Sequence, residues 1–185
     1  MSQVLFNPSW RFWLFWGLAF LSFPIGGVLA SLIVGPITTV VRAGIGGLLA
    51  GAALGVIQWF VLKGQIPVSF WWIVATSLGM ALGQAISVAF LGSEVSGNVL
   101  LWRAAITGLL IGVAQWILLR QIAPQMWVWI VVITLAWVVG WFITRSAGVD
   151  LDQKWIVFGS TGALSFQLLT GIAFYFLLRS SPGIQ

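Results

Sequence analysis

Two glutamines, Gln58 and Gln115, lie inside long apolar runs, and each is followed by a tryptophan, Trp59 or Trp116, and five residues later by Lys63 or Arg120. A primary amide surrounded by apolar neighbours must find hydrogen-bond partners. It can bond to another helix, which is worth about 0.6 to 2 kcal/mol in a bilayer, or it can hold a polar ligand beside the indole. Both roles remain open from the residues alone. Gln58, Gln115, Trp59 and Trp116 are therefore the candidate cofactor-binding residues, with a pigment or a lipid as possible occupants. Gln84 and Gln167 are similar amides in a different local context.

The missing residue types restrict the chemistry further. The chain has no His and no Cys, so the usual haem and zinc ligand sets and the His-dependent nucleophilic dyads are excluded, and neither haem nor zinc is expected. The acidic residues, Glu94, Asp150 and Asp152, all fall between apolar runs. An intramembrane aspartyl protease or a carboxylate proton relay would lack its key group. No GxxxxGK phosphate loop is present. The chain reads as a non-enzyme without metal ligands.

Arg42 and Arg103 open two of the runs on the side that carries Glu94, Asp150 and Asp152, and that arrangement predicts a rim of ion pairs. Anion binding is the alternative use of the same arginines. The eight basic residues are spread singly along the chain, so no basic patch for nucleic acid exists. Thirteen tryptophans are explained mainly by interfacial belts. Their excess towards the terminal side marks a candidate docking face.

What must position these groups is legible from composition. Of 185 residues, 61% are hydrophobic and 6% charged, against roughly a quarter charged in a soluble domain. Lipid is the solvent that suits such a chain. Polar and Gly/Pro clusters divide it into six apolar segments near 10–34, 37–62, 68–91, 98–119, 126–144 and 155–178. Each is long enough to cross a hydrocarbon core of about 30 Å as a helix, and the short links make sequential helices antiparallel neighbours. The first run opens Trp10-Arg11-Phe12-Trp13 and is read as a retained span, because a signal peptide has a shorter apolar core. The expected fold is all-α, a single transmembrane domain of six helices built from repeated hairpins.

The repeat runs without gaps from Gln58 to Gly83, whereas its upstream part, beginning at Arg42 and Arg103, is offset by 61, so the first copy holds four extra residues. At an offset of 57, Gln58, Trp59, Leu62, Pro67, Trp72, Ile73, Val74, Leu78 and Gly83 coincide with Gln115, Trp116, Leu119, Pro124, Trp129, Ile130, Val131, Leu135 and Gly140. The full copies cover 42–83 and 103–140, and a degenerate third copy covers 160–179, where Phe174 replaces the glutamine. Small residues recur every fourth position at Gly47, Gly51 and Gly55, at Gly79 and Gly83, and at Gly108 and Gly112. Such ridges predict close helix packing, since small residues let helix backbones approach in lipid.

The segments Val56-Ile57-Gln58-Trp59-Phe60-Val61-Leu62-Lys63 and Trp71-Trp72-Ile73-Val74-Ala75-Thr76 resemble a family of small Trp-rich multispan membrane proteins with Gln-Trp hairpin repeats, associated with cyanobacteria and related bacteria. The resemblance covers roughly 42–145 and carries no assigned activity. It implies a membrane hairpin array in a bacterial plasma membrane or a thylakoid.

Taken together, these features predict a non-catalytic integral membrane subunit or scaffold that binds a larger complex, a lipid or a pigment, or associates with copies of itself. The alternative is a small-solute-binding transport component, similar to the substrate-binding subunit of a vitamin importer. Basic residues divide evenly between the two sides. The terminal side carries no acid, which favours cytoplasmic termini.

Overall fold

The computed structural model describes residues 9–94, 97–150 and 155–179. Among them the chain forms helices α1 (Trp10–Leu18), α2 (Ser22–Val34), α3 (Val40–Leu62), α4 (Trp71–Leu91), α5 (Gly97–Leu119), α6 (Val128–Ser146) and α7 (Ser160–Arg179). A 3-10 turn, Ala19–Leu21, joins α1 to α2, and a second, Pro124–Trp127, leads into α6. Six helical spans are long and apolar enough to cross a membrane: Trp10–Val34, Val40–Leu62, Trp71–Leu91, Gly97–Leu119, Pro124–Ser146 and Ser160–Arg179. The protein is an integral membrane protein with an all-helical, six-span bundle.

Local sequence explains the helix boundaries. Pro24 has no amide hydrogen to give to the turn before it and crowds the carbonyl four residues earlier, and the first span tightens there into the 3-10 turn. Ser22 Oγ donates to the Ala19 carbonyl at 2.6 Å. Gly35 and Gly92 end α2 and α4 with φ of 67° and 75°, which favours glycine at these positions. Thr39 caps α3 by accepting from the Arg42 amide at 3.3 Å, so that helix begins at Val40 and not near 37.

Successive helices pack side by side, and α7 returns to α1, closing the bundle into a ring. Both ends of the described chain lie at one end of that ring, where Trp13 meets Tyr175 at 5.7 Å and Trp16 meets Phe174 at 5.9 Å between ring centroids. The closest approaches involve small residues. A Cβ added at Gly51 would stand 2.8 Å from the Ser77 Cα, one at Gly83 2.7 Å from the Thr107 Cα, and one at Gly112 2.9 Å from the Ile130 Cα. Gly47 and Gly55 face α4, Gly79 faces α5 and Gly108 faces α6 in the same way. Gly26 lies against Ala50, and Gly162 against the Gly140 carbonyl.

The sixth span departs from the expected boundary near 155. Its helix starts at Ser160, and Ile156, Val157 and Phe158 enter the bundle as buried, non-helical chain. Two bonds hold this segment. Gln84 Nε2 donates to the Ile156 carbonyl at 2.9 Å, and the Gly159 amide donates to Thr144 Oγ1 at 3.1 Å. Non-helical backbone at this depth is stable only where protein groups satisfy it. The Phe158 ring stacks on Phe23 at 4.6 Å and packs edge-on to Trp137 at 4.9 Å.

Candidate functional site

The repeat glutamines meet in the middle of the ring. Gln58 on α3 is fully buried and Gln115 on α5 is 1% exposed. The indole of Trp72 on α4 donates to Gln58 Oε1 at 3.3 Å, and that of Trp129 on α6 donates to Gln115 Oε1 at 2.8 Å. Each glutamine is thus bonded by the tryptophan fourteen residues later, across the hairpin turn. Gln115 Nε2 joins the two pairs, donating to Thr76 Oγ1 at 2.9 Å and to Gln58 Oε1 at 3.4 Å. Thr76 in turn donates to the Trp72 carbonyl at 2.8 Å.

One donor in this network, Gln58 Nε2, has no partner among the described residues. Exchanging the two ends of the Gln58 amide would set that nitrogen against the Trp72 and Gln115 donors, so the bonds themselves define its orientation. The arrangement is rich in donors and neutral in charge. It can bind a hydrogen-bond acceptor, and its five side chains are two indoles, two amides and the Thr76 hydroxyl, none of which is a charged group.

Trp59 and Trp116 take no part in the network. Both are half-buried and pack against the core, their indole nitrogens buried and without a partner among the described residues, while Lys63 Nζ lies 4.6 Å from the Trp59 ring and the Arg120 guanidinium 5.7 Å from that of Trp116. A cation over an indole at a helix end is an interfacial anchor. The indoles that serve the amides, Trp72 and Trp129, were signalled by their identity in the repeat, yet adjacency in sequence points to the wrong pair.

Arg42 and Arg103 have different surroundings. Arg42 is exposed, and its Nη1 reaches the Pro36 carbonyl and Thr38 Oγ1, both at 3.4 Å. Arg103 is 7% exposed, its Nη1 donates to the backbone carbonyl of Glu94 at 3.1 Å, and its Nε has no partner among the described residues. The expected rim of ion pairs takes another form at these two positions. The arginines meet carbonyl and hydroxyl oxygens because they tie the chain before each helix to its first turns. Asp150 is exposed, and Asp152 lies outside the described residues.

The third repeat copy carries its polar contact elsewhere. Phe174 occupies the glutamine position and packs edge-on against Trp129 at 4.7 Å. Trp16, on the span that pairs with α7, donates to the Gln167 carbonyl at 2.9 Å and lies 3.3 Å from Thr170 Oγ1. Among the described residues no group of His, Cys, Asp and Glu could hold a metal ion. Comparison with family models, curated proteins and solved structures returns no match.

Proposed function

We propose that this chain is a non-catalytic membrane subunit or scaffold, seated in a bacterial plasma membrane or thylakoid with cytoplasmic termini, and acting through its outer helix surfaces on a larger complex, lipid or pigment. The observation that carries this reading is the mutual bonding of Trp72, Gln58, Gln115, Thr76 and Trp129. Polar groups that bond one another inside a packed ring favour stability over solute capture. The outer surface, by contrast, presents large apolar side chains such as Leu32, Phe60, Phe90 and Phe176, which suit lipid or other membrane helices.

Solute binding is the second reading, and the unpartnered Gln58 Nε2 is the observation that favours it. Native mass spectrometry after purification in a gentle detergent separates the two. A scaffold retains a protein partner, a second copy or an apolar molecule. A stoichiometric polar solute, lost in Gln58→Leu while the fold survives, would replace the scaffold reading. Under that reading Gln58→Leu lowers thermal stability by about 1 kcal/mol, the scale of one interhelical hydrogen bond.

A further inference from the structure

At the end of the ring away from the termini, two recesses share the side chains of Trp141 and Trp155 as walls. One is small, and Arg103 and Gln84 bring polar groups to a wall completed by Leu100 and Ala104, with about 10 Å³ of free volume. That is close to the least space that admits one water-sized atom. The other is an apolar cavity of about 230 Å³, lined by residues that include Pro24, Val28, Val157 and Phe158. An engineered apolar cavity of about 150 Å³ is enough to take up benzene, so this one admits a ring or the end of an alkyl chain.

Arg103 supplies the charge. It is more than nine-tenths buried in α5, six residues past Gly97, or about 9 Å along the helix axis. Among the described residues Glu94 meets it through a backbone carbonyl, and Nε has no partner. A guanidinium at this depth without an anion is costly. Its bond to the Glu94 carbonyl draws it towards the membrane edge, where lipid headgroups lie. A second cation stands at the same edge, since Arg145 Nη1 donates to the Gly97 carbonyl at 3.2 Å.

We propose that Arg103 and the neighbouring cavity together bind an anionic membrane amphiphile, with one acidic oxygen at the guanidinium and the end of an apolar chain behind Trp141 and Trp155. On the cytoplasmic or matrix side of membranes, basic pockets between helices bind acidic headgroups, and the same pairing of charges applies to a buried guanidinium at the opposite edge. The shared chemistry is a phosphate or carboxylate joined to an alkyl chain, whether on a phospholipid or a free fatty acid. This inference concerns a different end of the bundle from the glutamine network and does not depend on the scaffold reading.

The test uses the full chain in mild detergent, titrated separately with phosphatidylglycerol, phosphatidylcholine of the same chains, oleate and inorganic phosphate, with bound lipid read by native mass spectrometry and stability by thermal unfolding. Phosphatidylglycerol is retained in preference to phosphatidylcholine, and oleate competes if a fatty acid can fill the same site. Failure of oleate to compete assigns the site to the phospholipid. Arg103→Gln weakens phosphatidylglycerol binding about fivefold to tenfold, the scale of one basic contact at a membrane surface. Arg42→Gln leaves it unchanged. Val28→Trp, which fills the cavity from the lipid side, weakens phosphatidylglycerol and oleate alike. Equal retention of the two phospholipids by the unaltered chain overturns the proposal, as does protection by inorganic phosphate equal to that by phosphatidylglycerol. If Arg103→Gln does not fold, the phospholipid preference of the unaltered chain still decides the matter, and Arg103→Lys keeps the charge for the comparison.

Discussion

Around most of the ring, helices touch through backbone, whereas the seam between α7 and α1 is made by side chains. Gly26, Gly51, Gly83, Gly112 and Gly162 each bring a neighbouring main chain to where a Cβ would collide with it. At the seam a Cβ on Gly171 would instead meet the indole of Trp16 at 2.7 Å. The cores differ in parallel. Between α3 and α6 the centre is held by indole bonds to side-chain amides, while at the seam Phe12, Trp16 and Phe174 pack ring on ring and the Trp16 indole donates to a backbone carbonyl. Backbone contact fixes the distance between two helices, and a rotatable indole leaves room to adjust. A ring assembled from one end of a chain to the other needs such an adjustable closure, because small errors at each interface accumulate there.

The largest effect should come from Gly51→Leu, which forces a branched side chain against the α4 main chain. It costs about 3 kcal/mol or more, read as loss of a cooperative unfolding transition in detergent. A smaller loss than that of Gly171→Ala at the seam would break the contrast. Next is Phe174→Gln, which restores the repeat glutamine where Trp16 already donates to Gln167. The added amide lacks that donor and destabilises by about 2 to 3 kcal/mol, whereas a gain in thermal stability would mean that the seam accepts the polar design of the other two copies.

The two glutamines also differ from one another. Gln115 uses both ends of its amide and Gln58 only its oxygen. Gln115→Leu should therefore cost about 1.5 kcal/mol, more than Gln58→Leu in the same unfolding assay. Equal losses would show that the Gln115 to Thr76 bond adds nothing. The smallest change belongs to Gly17, where an added Cβ meets nothing within 4 Å. Gly17→Ala should raise stability by about 0.5 kcal/mol through its helix preference alone, and a loss there would reveal a contact at the first span.

The spans and their ends were legible in the sequence to within a few residues, because lipid obliges each spanning segment to satisfy its own backbone locally and glycine, proline and threonine mark the ends. The lack of His and Cys, the placement of all three acids between the apolar runs, and the small-residue ridges were equally local facts. Side-chain partners were not. Whether Gln58 meets Trp59 or Trp72 depends on how two helices are rotated and at what depth their rings lie, which no run of neighbours encodes. Gln84 finds its acceptor seventy-two residues later, at Ile156, and that bond helps hold 155–159 as buried non-helical chain although its composition continues an apolar helix. Arg42 and Arg103 open similar repeat segments and each precedes a buried alanine, Ala43 or Ala104, yet only Arg103 is itself buried, and its contact with the Glu94 carbonyl is made by chain outside its own helix. Hydropathy and backbone hydrogen bonding determined which stretches are helices. The rotation and closure of the ring, set by contacts between distant helices, decided which of their polar groups meet.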